Sequence, residues 1–113
     1  MQSQHRSPCP VACTLDVIGD KWTLLVVRDM LLGRTQFKEF SASPEKIATN
    51  ILTDRLNKLV EHGLAERQSS EEGAGRVIYQ LTPKGKSLKP VIRAIANWGL
   101  KQIDGTEIRL KSK

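Results

Sequence analysis

The stretch KIATNILTDRLNKLVEHGLAERQ, residues 46–68, decides the fold that we predict for this chain. On a helical wheel, Leu56, Leu59 and Val60 fall on the same side as Leu52, so these aliphatic residues form one apolar face. The opposite face carries polar and charged side chains: Asn50, Asp54, Asn57, Lys58 and Glu61. The pattern predicts an amphipathic helix that stops at Gly63 and has a polar face available for binding.

An apolar pattern with helical spacing also precedes this stretch, and it predicts two more helices. Gly19 and Asp20 divide the pattern. We expect the first helix at about residues 10–18, with a proline in the favoured first position. The second is expected at residues 21–32, with Asp20 as its cap and Gly33 as its stop.

Shorter elements lie on both sides of the amphipathic helix. Thr35 is expected to cap one short helix that brings two phenylalanines into the core. After Gly63, residues 64–69 have the pattern of a strand, and residues 70–75 form a turn-rich loop. Apolar and polar residues then alternate over residues 76–81, which predicts a hairpin with one buried face.

The last predicted helix opens at Thr82-Pro83 and carries more apolar surface than one small core can bury. Two stripes share it: Leu88, Ile92, Ile95 and Gly99 form one, and Val91, Ile95 and Trp98 form the other. A second apolar stripe on a terminal helix indicates a partner surface, most simply the same helix in a second copy of the chain.

The order of these elements is typical of a winged helix-turn-helix, a mainly α fold with a small β-hairpin, here dimerising through its terminal helices. In such a module the second helix of the pair enters the major groove of DNA, and the loop between the strands reaches toward the backbone or minor groove. The Thr, Asn and Arg side chains of the amphipathic helix can donate hydrogen bonds to base edges or phosphates. The sequence therefore predicts double-stranded DNA as a partner.

Motifs along most of the chain resemble the HxlR-type regulators, relatives of the MarR group. They are CP at residues 9–10, GDKWTLLVVRDML at 19–31, FKEF at 37–40, ILTDRLNKLVEHGLAER at 51–67, Y-Q-LTPKG at 79–85 and W-G at 98–99. The resemblance implies a bacterial DNA-binding transcription factor that acts as repressor or activator and is usually dimeric through its terminal helices.

The resemblance also implies which residues do the binding. The predicted DNA-binding set is Thr49, Asn50, Thr53, Asp54 and Arg55 in the groove, Lys38 and Arg76 near phosphates, and Lys58 on the same polar face. The predicted dimer interface is Val11, Leu15, Val91, Ile95 and Trp98. Two departures from the family pattern stand out. Ala48 replaces the usual Ser, so the helix cap is expected to shift to Thr49, and the wing is glycine-rich and acidic where the family's is proline-rich.

Composition limits the other possibilities. The chain has 113 residues, which suits one domain, and its 18 Lys and Arg against 12 Asp and Glu give a net charge of +6. A positive field attracts a polyanion, although a merely basic solvated surface gives the same count. The longest apolar run, LLVV, is far too short to span a membrane, and the first ten residues lack the apolar core of a secretory signal. We therefore expect a cytoplasmic protein.

The two cysteines leave alternatives open. With His5 they form an H-x3-C-x3-C spacing, but prolines flank Cys9 and no fourth ligand is evident, so we predict no metal. Cys9 at a helix start is a candidate redox-sensing thiol, because unpaired N–H groups there favour a thiolate. The alternative is two structural thiols, since most free cysteines behave as small buried hydrophobes. No arrangement of residues predicts a cofactor or an enzyme.

The resulting prediction is a transcription regulator that binds a pseudo-palindromic operator as a homodimer, with an effector that the sequence does not name. It comprises a flexible arm at 1–8, the winged domain at 9–105 and a basic tail at 106–113. The alternative is a winged-helix protein-interaction module without operator binding. Charge distinguishes the two, because a regulator should gather its cations on one surface: Lys21, Arg34, Lys38, Arg55, Lys58 and Arg76.

Overall fold

Six helices and one hairpin make up the computed structural model, which describes residues 6–69 and 76–110. The helices are α1 (Pro10–Ile18), α2 (Thr23–Leu31), α3 (Phe37–Ser41), α4 (Thr49–Glu61), α5 (Pro83–Lys86) and α6 (Lys89–Gln102), and the strands are β1 (Ala65–Ser69) and β2 (Val77–Leu81). The predicted loop at 70–75, most of the predicted arm and the end of the predicted tail lie outside the described residues. The mainly helical fold with one hairpin is confirmed.

The core forms where α2, α3 and α4 meet the hairpin. Its fully buried side chains include Val27 of α2, Phe40 of α3 and the three leucines of the α4 apolar face: Leu52, Leu56 and Leu59. Burying one such side chain stabilises the fold by about 1.5–3 kcal/mol, so the apolar face of α4 contributes a large share of the core energy. Since α4 is fixed by this face, its opposite face is turned to solvent.

The helix starts differ from the prediction in detail. The first helix has the predicted bounds, but α2 begins at Thr23 rather than Lys21, because the Asp20 carboxylate accepts hydrogen bonds from the backbone N–H groups of Trp22 and Thr23 at 2.9 and 3.0 Å. Thr35 was expected to cap α3, and this was wrong. Gln36 is the cap, and it forms a capping box with Glu39.

The expected cap of α4 was also wrong. Ala48 occupies the cap position with extended backbone, and Thr49 is already the first helical residue, so the helix has no side-chain cap. The Thr53 hydroxyl donates to the Thr49 carbonyl at 3.0 Å, within the first turn. At the other end Gly63 adopts a φ of 72°, a left-handed conformation that favours glycine and ends the helix as predicted.

The hairpin pairs β1 and β2 antiparallel, with Ala65 opposite Leu81 and Ser69 opposite Val77. Tyr79 is buried, packs edge-on against Phe40 with ring centroids 6.5 Å apart, and donates its backbone N–H to the Thr35 carbonyl at 2.8 Å. The strand is thereby tied both to the core and to the segment that follows α2.

The last predicted helix is divided in two. The Thr82 hydroxyl accepts a hydrogen bond from the Gly85 N–H and caps α5, which ends after one turn. The next helix, α6, starts at Lys89 and has Pro90 as its second residue. Gly85 is buried against Leu64, the residue before β1, and a Cβ on it would lie 2.0 Å from the Leu64 carbonyl oxygen. This close approach, possible only for glycine, holds α5 against the start of the hairpin.

Candidate nucleic-acid interface

The outer face of α4 is a continuous polar surface. Thr49, Asn50, Thr53, Asp54 and Lys58 are all exposed, as are Asn57 and Glu61, so the predicted polar face is confirmed. Val60, which was predicted on the apolar face, is 37% exposed, so the buried part of that face is formed by the leucines. The first turn carries Thr49, Asn50 and Thr53, three side chains with hydrogen-bonding groups. The residues that reach base edges in helix-turn-helix proteins lie at this end of the helix.

Arg55 lies on the same helix but is not a free cation. Its Nε donates to Asp20 Oδ2 at 2.8 Å, its Nη1 bonds the Asp54 carboxylate, and its side chain is 21% exposed. The structure thus turns this guanidinium, which the sequence assigns to the groove, toward the start of α2.

Asp20 is the common partner in this arrangement. Partial burial opposes its ionisation, but hydrogen bonds from the Thr23 hydroxyl, from Arg55 and from the Trp22 and Thr23 N–H groups outweigh that cost, so the pKa of Asp20 lies well below its ordinary value. The hydrogen bond to Asp20 in turn raises the pKa of Arg55. One carboxylate therefore caps α2 and fixes α4 beside it.

Asp54 connects the anchored arginine with an exposed lysine. It bonds Arg55 and also lies 3.3 Å from the Lys58 Nζ, one turn further along α4. Asp54 thus contacts both cations. An exposed pair of this kind contributes little stability, so Lys58 can exchange Asp54 for a phosphate at small cost.

A second ion-pair cluster, which the sequence analysis missed, holds the segment before α4. Arg28 donates two hydrogen bonds to Glu45, at 2.8 and 2.9 Å, and lies 3.0 Å from the carboxylate of Asp29. Asp29 is 2% exposed and accepts from the Ser43 hydroxyl. Arg28 lowers the pKa of Glu45 through these hydrogen bonds. The sequence did contain a signal for this cluster, because Arg28 and Asp29 are charged residues inside an otherwise apolar helix.

The other predicted cations differ in their freedom. Lys38 on α3 and Arg76 at the start of β2 are exposed. Lys21 is exposed and its Nζ lies 5.3 Å from the ring centre of Trp22. Arg34 is half-buried, and its Nη1 is buried without a hydrogen-bond partner among the described residues. The six predicted cations are therefore not equivalent, because Arg55 and Arg34 are held within the fold.

The predicted dimer residues are exposed apolar side chains of the protomer. Val11 and Leu15 on α1 are 66% and 53% exposed, and Ile95 and Trp98 on α6 are 53% and 61% exposed, with Val91 beside them at 37%. By contrast Leu88 and Ile92 pack against the core, so the α6 region does carry the two distinct apolar stripes expected from its sequence.

The two thiols differ in accessibility. Cys9 is exposed at the cap of α1, where its side chain makes no capping bond and its N–H donates to the Ser7 hydroxyl at 3.0 Å. Cys13 is half-buried, and its Sγ lies 3.2 Å from the Ser7 carbonyl. Within residues 6–69 and 76–110 no three potential ligands cluster around a metal position, and His5 lies outside those residues. In the same part of the chain, no helix combines the length and apolar character needed to cross a bilayer.

This fold, with a polar helix following a helix pair and preceding a hairpin, defines a winged helix-turn-helix protein. The model of the HxlR-like helix-turn-helix family matches residues 17–107. The chain belongs to that family, and its relatives are transcriptional regulators rather than enzymes.

Three relatives illustrate the likeness. The uncharacterised HTH-type transcriptional regulator YdeP of Bacillus subtilis strain 168 is 36% identical over 96 residues, covering 85% of this chain and 75% of YdeP. The crystal structure of PA1607, a proposed transcription factor, superposes with a TM-score of 0.84 at 44% identity over 93% of this chain and 75% of PA1607. The redox regulator HypR in its reduced form gives a TM-score of 0.77 at 33% identity over 85% of this chain and 95% of HypR.

Replacing Asp20 with Asn should destabilise the fold at neutral pH and remove part of its acid sensitivity. Because its folded-state pKa is depressed, the ionised carboxylate stabilises the fold above the ordinary pKa of 3.8, and this contribution is lost as the pH falls below that value. Denaturant unfolding from neutral pH down to about pH 3 measures the effect. The stability gap between wild type and Asp20→Asn should narrow with falling pH.

Asp16→Asn is the matched control, since among the described residues Asp16 makes only an exposed ion pair with Arg6. This substitution should leave stability almost unchanged at every pH. If the difference in unfolding free energy between wild type and Asp20→Asn stayed constant across the pH range, it would contradict the role assigned to the Asp20 carboxylate.

Proposed function

We propose that this protein binds a pseudo-palindromic DNA operator as a homodimer and thereby regulates transcription. The observation that carries the proposal is the exposed first turn of α4, where Thr49, Asn50 and Thr53 face solvent while three leucines fix the helix from behind. Each protomer supplies one such helix, and two of them engage half-sites about one helical turn apart.

The roles on α4 follow from the freedom of each side chain. Asn50 reads a base edge, because an Asn side chain can both donate to and accept from an adenine. Lys58, with Lys38 and Arg76, contacts phosphates. Arg55 acts as a positioning residue, since its guanidinium already bonds Asp20 and Asp54. Asp54 shields Lys58 until a phosphate displaces it.

Asn50→Ala and Lys58→Ala should weaken operator binding in different ways. Asn50→Ala should lose about 1–3 kcal/mol of binding free energy and relax the sequence preference at one base pair, because it removes a base contact. The second should weaken binding to all sequences and reduce the slope of log affinity against log salt by about 1, because it removes one phosphate contact. Selection from random DNA followed by titrations at several salt concentrations separates the two.

Lys101→Ala on α6 is the control for charge alone, since it removes an exposed cation far along the chain from α4 and should leave the slope unchanged. Binding of wild type that does not depend on salt would contradict a DNA-binding function and favour the protein-interaction alternative.

Dimerisation through α1 and α6 is supported by their exposed apolar faces. Val91, Ile95 and Trp98 fall within about 60° of one another around α6, at 100° per residue. An apolar groove of about 200 Å³ lies beside Ile95 where α6 meets Leu24 and Leu25 of α2. Exposed apolar surface of this kind is an aggregation hazard in a monomer, and a second copy removes it from water.

Val91→Glu should dissociate the dimer, because it inserts a charge into the apolar face. Sedimentation equilibrium of wild type and variant measures the change. Arg93→Glu, on the opposite side of α6, is the matched control and should remain dimeric. If the wild type is monomeric at every concentration, the exposed apolar stripe of α6 is not a dimer interface.

A redox response through Cys9 is a second part of the proposal, favoured by one specific observation. Cys9 is exposed at the start of α1, two residues before the proposed interface residue Val11. A modification there would alter the placement of α1 and, through the dimer, the spacing of the two recognition helices. Both half-sites must be engaged together, so a changed spacing loses much of the avidity. The likeness to the redox regulator HypR is in keeping with this proposal.

A thiol oxidant of the diamide type should weaken operator binding by wild type but not by Cys9→Ser. Cys9 should also react faster than the half-buried Cys13 with an alkylating probe, which mass spectrometry of the labelled peptides measures. Cys13→Ser is the matched control and should keep the oxidant response. An effect of oxidant that persists in Cys9→Ser would assign Cys9 a structural role.

A further inference from the structure

Lys46, in the turn before α4, has a backbone conformation that lysine rarely adopts. Its φ is 57°, in the left-handed region, and among the described residues it is the one residue other than glycine with a positive φ. Glycine adopts this conformation without the steric penalty that a Cβ incurs. A lysine here therefore carries a cost that glycine would avoid, and residues held in such conformations are concentrated at functional positions.

The neighbours of Lys46 hold it in this conformation. The Glu45 carboxylate accepts two hydrogen bonds from Arg28 of α2, at 2.8 and 2.9 Å, and the Ile47 side chain is buried in the core. The Lys46 N–H donates to the Ser43 carbonyl at 3.0 Å. Because the chain is anchored to the protein on both sides of Lys46, the lysine side chain is left in solvent, where it is exposed.

The charge of Lys46 is unpaired, unlike that of the other cations nearby. Arg55 and Lys58, the two cations of α4, are each paired with Asp54. Glu45, the carboxylate beside Lys46 in the sequence, is occupied by hydrogen bonds from α2. Within the described parts of the chain Lys46 itself makes no ion pair. A phosphate that approaches Lys46 therefore displaces no intramolecular partner.

The position of Lys46 suits a contact with the DNA backbone. It precedes Thr49 by three residues, which span at most about 11 Å. In helix-turn-helix proteins the N-terminal residues of the recognition helix are the ones that reach base edges. The major groove is about 12 Å wide and is bordered by phosphates, so a cation beside the first turn of α4 comes close to one of its two backbones.

We propose that Lys46 is a DNA-backbone contact, and that its left-handed conformation directs its ammonium group to a phosphate beside the first turn of α4. This inference rests on the proposed function, since it assigns a further residue to the same interface. The sequence analysis did not include Lys46 in the DNA-binding set. Because the partner is a phosphate, the contact adds affinity and salt dependence but no preference for particular base pairs.

Three substitutions at this position separate charge from conformation. Lys46→Gln removes the charge and keeps a Cβ, Lys46→Gly removes both, and Lys46→Arg keeps both. Titration of the whole protein with an operator selected from random DNA, at several salt concentrations, gives the slope of log affinity against log salt for each variant. Lys101→Gln on α6 is the control for loss of an exposed cation elsewhere.

We expect Lys46→Gln and Lys46→Gly to reduce the steepness of that slope by about 0.9, the value for one phosphate of duplex DNA, and to leave base-pair preference unchanged. Lys46→Arg and Lys101→Gln should keep the wild-type slope. A steep wild-type slope that is unchanged in Lys46→Gln would overturn the contact and leave the proposed function intact. Wild-type binding that does not depend on salt would overturn the proposed function, and the contact with it.

Denaturant unfolding of the same proteins without DNA measures the cost of the left-handed conformation. Lys46→Gly should unfold at a higher denaturant concentration than Lys46→Gln, because glycine adopts a φ of 57° without a steric penalty. Lys46→Gly would then be more stable than Lys46→Gln and yet bind DNA more weakly than wild type, a combination that a merely solvated lysine does not produce. If Lys46→Gly is no more stable than Lys46→Gln, the role given to the left-handed conformation is overturned.

Discussion

The Asp20 carboxylate joins the two helices on which the DNA-binding architecture depends. It accepts hydrogen bonds from the N–H groups of Trp22, just before α2, and Thr23, the first residue of α2. It also accepts from the Nε of Arg55 in the middle of α4, 35 residues further along the chain. Helix caps and arginine–carboxylate bonds are each modest contributions when exposed. Here one carboxylate makes both, so the start of α2 and the orientation of α4 are set by the same atoms.

The Arg28 cluster acts at the other side of α4. Arg28, Glu45, Asp29 and Ser43 connect the middle of α2 with the turn that delivers the chain to Ala48, where α4 begins without a side-chain cap. A carboxylate buried as fully as that of Asp29 is costly unless it is paired and hydrogen-bonded, and both conditions are met. Polar bonds to α2 therefore fix the position of α4, and the leucine face supplies most of the burial.

The sequence predicted the elements well because their patterns are local. Helical spacing located α1 and α4, a left-handed glycine ended α4, and alternation located β2. Details that depend on tertiary contacts were missed. The division of the last helix depends on Gly85 meeting Leu64, and the orientation of Arg55 depends on Asp20; neither partner is close in sequence.

The central proposal is that Arg55 contributes to operator binding through Asp20, by orienting α4, rather than by touching a base. A double-mutant cycle of Asp20→Asn and Arg55→Gln, read as operator affinity of the folded fraction, tests this most directly. The account predicts that each single variant weakens binding without changing which base pairs are preferred, and that the double variant is little worse than either, with a coupling energy of about 1 kcal/mol or more. Additive losses, together with relaxed preference at one base pair in Arg55→Gln alone, would contradict it.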